Sequence, residues 1–348
     1  MKKKVMTIAV FIFVVFASLF TGCGDSTDKV TLNVYNWGDY IDEEVIRDFE
    51  KTYNIRVNYD TFATNEEMYV KVKSGSSKYD VLFPSDYMIE RMIEEDLLHK
   101  INLDNIPNYK YIEPHFKNLD FDPNNEYSVP YFWGTMGILY NKTMVDEPIN
   151  SWTVLWDEKY EDNIFMLDSQ RDSIGITLKM LGYSLNTVNE KELEEAKEAL
   201  IEQRPLVLAY VIDEVMDKMI ADEAALAVVW SGDATAAMRE NDDLDYVIPK
   251  EGSNLWFDSM VIPKNSTHKE EAELFINYMC ETDVAFKNAD YVGYSTPHIE
   301  ARKRLEPEIR DSVVAYPNLE DLTDCEIFHH LGEDLKLYDR AWTDITAR

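Results

Sequence analysis

The sequence predicts an α/β protein in which a largely parallel β-sheet is covered by helices on both faces. Three observations carry that expectation. From Val30 onward, short β-rich runs alternate with amphipathic helical ones. Apolar residues make up 45% of the chain and aromatic residues 12%, enough for a sizeable core. The 348 residues contain no visible repeat or low-complexity tract, and that length points to two domains rather than one.

The elements follow in order. Thr31 to Tyr35 reads as a strand, after which Ile41, Val45, Ile46, Phe49 and Tyr53 fall on one helical face. Ile55 to Tyr59 is the next strand, Asn65 to Val72 a helix, Tyr79 to Phe83 a strand and Met88 to Leu98 a helix. A turn-rich segment from Asn102 to Asn125, carrying Pro107, Pro114 and Pro123, leads into a strand at Tyr127 to Tyr131. Further strands are expected at Ile138 to Asn141, Ile164 to Leu167, Leu206 to Tyr210, Ala225 to Trp230, Tyr246 to Ile248 and Leu255 to Ile262. Helices are expected near 174–183, 190–202, 213–221, 233–239 and 268–280, and the tail from Leu305 is expected to be mostly helical. In such a sheet, ligands gather beyond the carboxyl ends of the strands.

Ahead of this rhythm lies a different kind of segment. Lys2, Lys3 and Lys4 precede an apolar run from Val5 to Phe20 that ends at Thr21-Gly22-Cys23. The run is short for a membrane span, and small residues before a cysteine suit lipoprotein processing, so residues 1–22 are expected to be a lipoprotein signal peptide. Cys23 becomes the lipidated N-terminus and residues 23–29 a short tether.

Charge narrows the class of partner. Against 34 Lys and Arg stand 66 Asp and Glu, for a formal charge of -32. A surface this acidic repels phosphate backbones and anionic membranes, so nucleic acid is excluded as a partner and cations are favoured. Beyond Cys23 only Cys280 and Cys325 remain, and neither sits in a Cys-x-x-Cys pair, so redox or zinc chemistry has no support. No phosphate-cradling loop, zinc-protease helix or nucleophile elbow is present, and the adjacent His329 and His330 face different sides of any helix. No catalytic residue, cofactor or metal is therefore expected.

The positive signal is the placement of tryptophan. Trp37-Gly38-Asp39-Tyr40, Trp133-Gly134, Trp230-Ser231-Gly232-Asp233 and Trp256-Phe257-Asp258 put rings at or just beyond strand ends, three of them followed closely by a carboxylate. An aromatic wall beside an acid suits a cleft for an organic cation: ammonium groups need carboxylates, methylene stretches need flat apolar walls. Asp39 also has a competing reading as the cap of the helix near Ile41, as does Asp172 for a helix near Ser173.

At these residues the chain resembles the spermidine/putrescine-binding proteins of bacterial ABC importers. The match runs through Val34 to Ile41, Pro84-Ser85-Asp86-Tyr87, Tyr127 to Gly134, Trp230 to Asp233, Trp256 to Ser259 and Gly293 to Pro297, and covers nearly the whole chain from Val30. The resemblance implies a two-lobed periplasmic-binding-protein fold of type II, each lobe a mixed sheet flanked by helices with the ligand in the cleft. Lobe 1 would hold 30–135 plus 255–305, lobe 2 136–254, and the tail 306–348 would pack on both. Carried over by position, Trp37, Tyr40, Ser85, Tyr87, Trp230, Trp256, Asp258 and Tyr294 match the family's ligand contacts. Asp172 falls where a family Glu commonly grips an amine, Asp233 where putrescine-preferring relatives carry Asp, and Asp39 keeps an acid in the first loop. A tail Gln of some spermidine binders aligns near Phe328, and Ser169 stands in place of a second acid, so the pocket reads as mixed between diamine and triamine.

The expected function is capture of spermidine or putrescine by hinge closure and delivery to an ABC permease driven by a separate ATPase, by a monomer anchored on the outer face of the cell membrane. Two competitors stay open at this level: a binding protein of the same fold for a sugar or iron, and a secreted glycosidase built on paired carboxylates.

Overall fold

The computed structural model describes residues 29–212 and 214–347. The expected signal peptide 1–22, Cys23 and the tether up to residue 28 lie outside the described residues.

The chain begins with β1 (Thr31–Trp37), α1 (Glu43–Tyr53), β2 (Arg56–Phe62), α2 (Asn65–Lys73), β3 (Val81–Leu82) and α3 (Asp86–Glu94). Local chemistry explains the punctuation. Asp42 caps α1 by accepting from the Glu44 amide, Glu43 and Glu44 sit at its positive end and Lys51 in its last turn, and its apolar face buries Val45, Ile46 and Phe49. Asp39, outside the helix, caps nothing there. After a run of short 3₁₀ turns come β4 (Ser128–Asn141), β5 (Ile164–Leu167), α4 (Gln170–Met180), α5 (Glu190–Gln203), β6 (Val207–Val211), α6 (Val215–Ile220), β7 (Leu226–Trp230), α7 (Ser231–Glu240), β8 (Leu244–Val247) and β9 (Leu255–Val261). The chain closes with α8 (Lys269–Met279), α9 (Thr282–Val292), the short α10 (Ile299–Arg302) and α11 (Pro307–Arg310), and α12 (Leu335–Thr346).

The strands run in the order β2-β1-β3-β9-β4-β7-β5-β6, with β8 paired to β4 off this path. The expected largely parallel sheet needs correcting. β1 pairs in parallel with β2 and β3, and β5 with β6 and β7, but β9 and β4 join these two blocks antiparallel to every neighbour. The sheet is mixed because β4 and β9 carry the chain between the blocks instead of returning through crossover helices.

β4 corrects the expectation of two strands, Tyr127 to Tyr131 and Ile138 to Asn141. It is one strand that pairs with β9 over Ser128–Thr135 and with β7 over Met136–Tyr140. Gly134 marks a close approach: a Cβ there would lie 2.6 Å from the Trp256 ring. The helix α9 was missed, and the tail is far less helical than expected, with only α11 and α12 separated by turns around Pro317 and Asn318.

Apolar side chains form three clusters. One draws on residues between Leu32 and Trp133 and between Trp256 and Tyr316. A second, between Met136 and Val228, includes Tyr338, Ala341 and Ile345 of α12. The third lies on the other face of the second block and centres on Leu139, Phe165 and Val229. Trp230 packs against both the first and the second cluster. Among the described residues no helix is long and apolar enough to cross a membrane.

Candidate functional site

The carboxyl ends of β1 and β7 and the start of β9 converge where the first two clusters meet. Trp37 ends β1, and its indole Nε1 donates to the Phe83 carbonyl at 2.8 Å while its ring leans on Phe62 at 4.6 Å. That anchoring fixes the ring beside the loop holding Tyr40. The Tyr40 hydroxyl donates to Asp258 Oδ2 at 2.7 Å, and the Tyr131 hydroxyl donates to the Tyr40 carbonyl at 2.7 Å.

Asp258 is the centre of this arrangement. It sits on β9, is 5% exposed, and its second oxygen, Oδ1, has no hydrogen-bond partner. Burial pushes its pKa up to about 6, against the pull of the Ser85 and Tyr40 hydroxyls, and no lysine or arginine helps to hold its charge. Backbone geometry positions it. Ser85 bridges to Asp258, the Ser259 amide donates to the Pro84 carbonyl at 3.1 Å, and Asp86 Oδ2 accepts the Phe257 amide at 3.0 Å. Asp86 is itself buried, which raises its pKa well above the usual carboxylate range. Sequence reading passed over Asp86 although it stands in the Pro84-Ser85-Asp86-Tyr87 motif.

Aromatic rings line the same space. Tyr294 meets Tyr40 edge-on at 5.5 Å and Trp256 at 5.4 Å, and its hydroxyl donates to Asp233 Oδ1 at 3.0 Å. Asp233 lies in the first turn of α7, which starts directly after Trp230. Gly232 makes this contact between the two blocks feasible, because a Cβ there would fall 1.2 Å from the Tyr294 ring. The Trp256 indole nitrogen is buried without a partner.

A second group of polar residues borders the first. Asn65 Nδ2 donates to the Ser85 and Tyr87 hydroxyls at 3.1 Å each, and the Tyr87 hydroxyl donates to Glu66 Oε1 at 3.1 Å. Asp172 lies within α4, which starts at Gln170, so it does not cap a helix beginning at Ser173. The Ser169 hydroxyl donates to its Oδ2 at 2.6 Å. Burial lifts the Asp172 pKa to about 6, opposed by Ser169, Arg171 and Asn254. Phe328 carries the Arg171 guanidinium on its face at 4.4 Å and meets Tyr87 edge-on at 6.5 Å.

The structure thus brings Tyr40, Ser85, Trp256, Asp258, Tyr294 and Asp233 into one chain of contacts, with Tyr87 joined to Ser85 through Asn65 and Trp37 held on Phe83 and Phe62 beside it. Asp39 stands apart: it is exposed at φ +49°, and no hydrogen bond ties it to the other site residues. Trp133, one of the four tryptophans that carried the sequence argument, is 3% exposed and packs inside the first cluster against Phe116. Asp86 had a signal in the Pro84-Ser85-Asp86-Tyr87 motif, whereas Asn65 had none, since only the folded contacts bring it to Ser85 and Tyr87.

The description of bacterial extracellular solute-binding proteins matches residues 44–319 of the chain. The chain belongs to that family. It is a solute-binding protein and not an enzyme, which removes the glycosidase reading. The spermidine/putrescine-binding periplasmic protein of Salmonella typhimurium is 36% identical over 324 residues, covering 92% of this chain and 93% of the relative. A solved ABC-transporter protein of Listeria monocytogenes is 44% identical with a TM-score of 0.87, covering 91% of this chain and 99% of its own. The spermidine/putrescine ABC transporter substrate-binding protein of Streptococcus pneumoniae is 41% identical with a TM-score of 0.80, covering 91% of this chain and 100% of its own. The binding protein therefore shares its architecture with this group along nearly all of its described length.

Proposed function

We propose that this solute-binding protein captures a polyamine, spermidine or putrescine, in the cleft between two lobes and hands it to an ABC permease powered by a separate ATPase. The lobes are 30–135 plus 255–305 and 136–254, with 306–348 packed on both. The apolar clusters support this division, since the first draws on both parts of lobe 1 and the second mainly on lobe 2. Cys23 carries the lipid that anchors the monomer to the outer face of the membrane once residues 1–22 are removed.

The observation that carries the reading is Asp258: a buried carboxylate with one oxygen bare and no basic neighbour, set among Tyr40, Trp256 and Tyr294. A bare anion in that place is costly, and an ammonium group is the ligand that offsets the cost. Each well-placed ring adds about 0.5 to 2 kcal/mol of cation–π attraction, and the rings also cover methylene groups. Trp37, Ser85, Tyr87 and Trp230 complete the wall, Asp172 and Asp233 supply further negative charge, and Asp39 adds a rim charge outside the contact chain. Closure brings Tyr294 against Gly232 and Asp233, so the ligand loses water only where charge and ring faces replace it.

A thermal-shift panel on ligand-stripped protein tests this with putrescine, cadaverine, spermidine, spermine, a maltodextrin and ferric citrate. A ligand that binds only the folded state at 100 times its Kd raises stability by about 2.7 kcal/mol, so a rise in Tm with amines alone is expected. A rise with the maltodextrin or ferric citrate and none with any amine would replace the polyamine by a sugar or iron.

A further inference from the structure

The adjacent His329 and His330 have no part in the cleft, but they lie in a stretch of the tail, Glu326 to His330, that runs between the two blocks of the sheet. Its grip on the second block is extensive. Asn186 Oδ1 accepts the His329 amide at 2.9 Å, and Asn186 Nδ2 donates to the Ile327 carbonyl at 2.8 Å. Arg171 Nη1 donates to the His329 carbonyl at 3.3 Å, its guanidinium lies on the Phe328 ring at 4.4 Å, and Lys179 Nζ donates to Glu326 Oε1 at 2.8 Å. Farther along the chain, α12 buries Tyr338, Ala341 and Ile345 in the second cluster. This part of the tail is therefore fixed to the 136–254 block.

Its other side meets α3 of the first block. Glu90 Oε2 accepts the His330 amide at 2.7 Å and lies 3.4 Å from His329 Nδ1. The Glu90 side chain is 24% exposed and that of His330 13%, so water competes little for this bond. Among the described residues no lysine or arginine forms an ion pair with Glu90. Tyr87, Glu90 and Glu94 follow one another along one face of α3, and His330 Nε2 stands 3.9 Å from Glu94 Oε2. Tyr87 itself meets Phe328 edge-on at 6.5 Å. The face of α3 that carries Tyr87 thus offers Glu90 to the tail one turn later.

We propose that Glu90 and the backbone at His329–His330 form a clasp between the lobes, in which Glu90 is a positioning residue that holds the closed form without touching the ligand. The inference rests on the hinge closure proposed above. An amide donating to a carboxylate is a charge-assisted bond, and rotation of α3 away from the tail would break it. A contact made only in the closed form raises the affinity for every ligand by the same factor. It acts on dissociation, because it must break before the ligand leaves.

Stopped-flow binding of putrescine and spermidine to wild type, Glu90→Ala and Glu90→Gln tests the clasp; glutamine keeps an uncharged acceptor for the His330 amide. For both amines alike, dissociation is expected to quicken about tenfold in Glu90→Ala and about threefold in Glu90→Gln, with association rates and ligand-free Tm held. Unequal losses for the two amines would place Glu90 on the ligand and overturn the proposal, as would unchanged dissociation or a lowered ligand-free Tm. Hydrogen exchange at the His330 amide, followed by NMR, reads the clasp with no ligand present. Faster exchange in Glu90→Ala than in wild type is expected, and equal rates overturn the clasp. Wild-type protein that binds neither amine would sink the polyamine reading, while exchange at His330 would still decide the clasp.

Discussion

At the scale of single residues, Asp258 separates binding from folding. Its carboxylate has no cationic partner and its raised pKa records a burial cost, so neutralising it relieves the ligand-free protein while depriving an ammonium of its counter-charge. Asp258→Asn is expected to weaken amine binding by about thirtyfold or more, equivalent to about 2 kcal/mol for a charge-assisted hydrogen bond, without lowering the ligand-free Tm. Calorimetry beside thermal unfolding checks this, and a matching drop in Tm would make Asp258 structural. The pKa values near 6 at Asp258 and Asp172 give a second test. Below about pH 6 both groups take up protons, so amine affinity should fall there, and binding near pH 6 should release protons that make the measured enthalpy depend on the buffer. Stability runs the other way. For an acid whose folded pKa is raised from about 3.9 to about 6, the contribution to ligand-free stability is fully present below about pH 3.9 and is lost as pH rises to about 6. An amine affinity that stays flat from pH 5 to 8 would contradict this assignment.

At the scale of elements, the contact between α7 and Tyr294 depends on Gly232. A methyl group would overlap the Tyr294 ring, so the start of α7 could not approach it. Gly232→Ala is expected to keep the fold, to weaken amine binding at least about tenfold, and to leave the protein more open in small-angle scattering with saturating ligand. Wild-type affinity in that variant would show that closure does not pass through this contact.

The same scale shows what the sequence made legible. Strands β1, β2, β5 and β7 and helices α1, α5 and α8 announce themselves by apolar period, because neighbours in sequence decide them, although the cap of α1 is Asp42 and not Asp39. β4 does not, because its continuity is settled by pairing with β9 and β7, far away in sequence. The tail was misread because it is laid down against the rest of the molecule: the Glu326 carbonyl accepts from the Leu255 amide, and the Glu326 amide donates to the Ser253 carbonyl, holding it in an extended form. At the site, tryptophans followed by acids pointed to Trp37, Trp230, Trp256, Asp233 and Asp258. Trp133, the one of the four not followed by a carboxylate, is core, since neighbours along a strand alternate between faces and the sequence pattern does not show which face is covered. Asn65 left no trace because nothing around it in sequence distinguishes it from other helix-start residues.

At the scale of the whole molecule, the formal charge of -32 favours cations in general, and the fold selects the few carboxylates at which charge meets aromatic rings. Most acids are solvated and answer for solubility. The proposed anchoring is tested apart from binding: Cys23→Ala is expected to move the protein from the membrane fraction into the soluble extracytoplasmic fraction without altering amine affinity in the purified form. Retention in the membrane fraction would contradict lipidation at Cys23. The most direct measurement of the central claim is isothermal titration of ligand-stripped wild-type protein with putrescine and spermidine at neutral pH. Saturable binding of at least one of them at one site per chain is predicted, and the absence of binding by either, in protein whose fold is intact, would contradict the account.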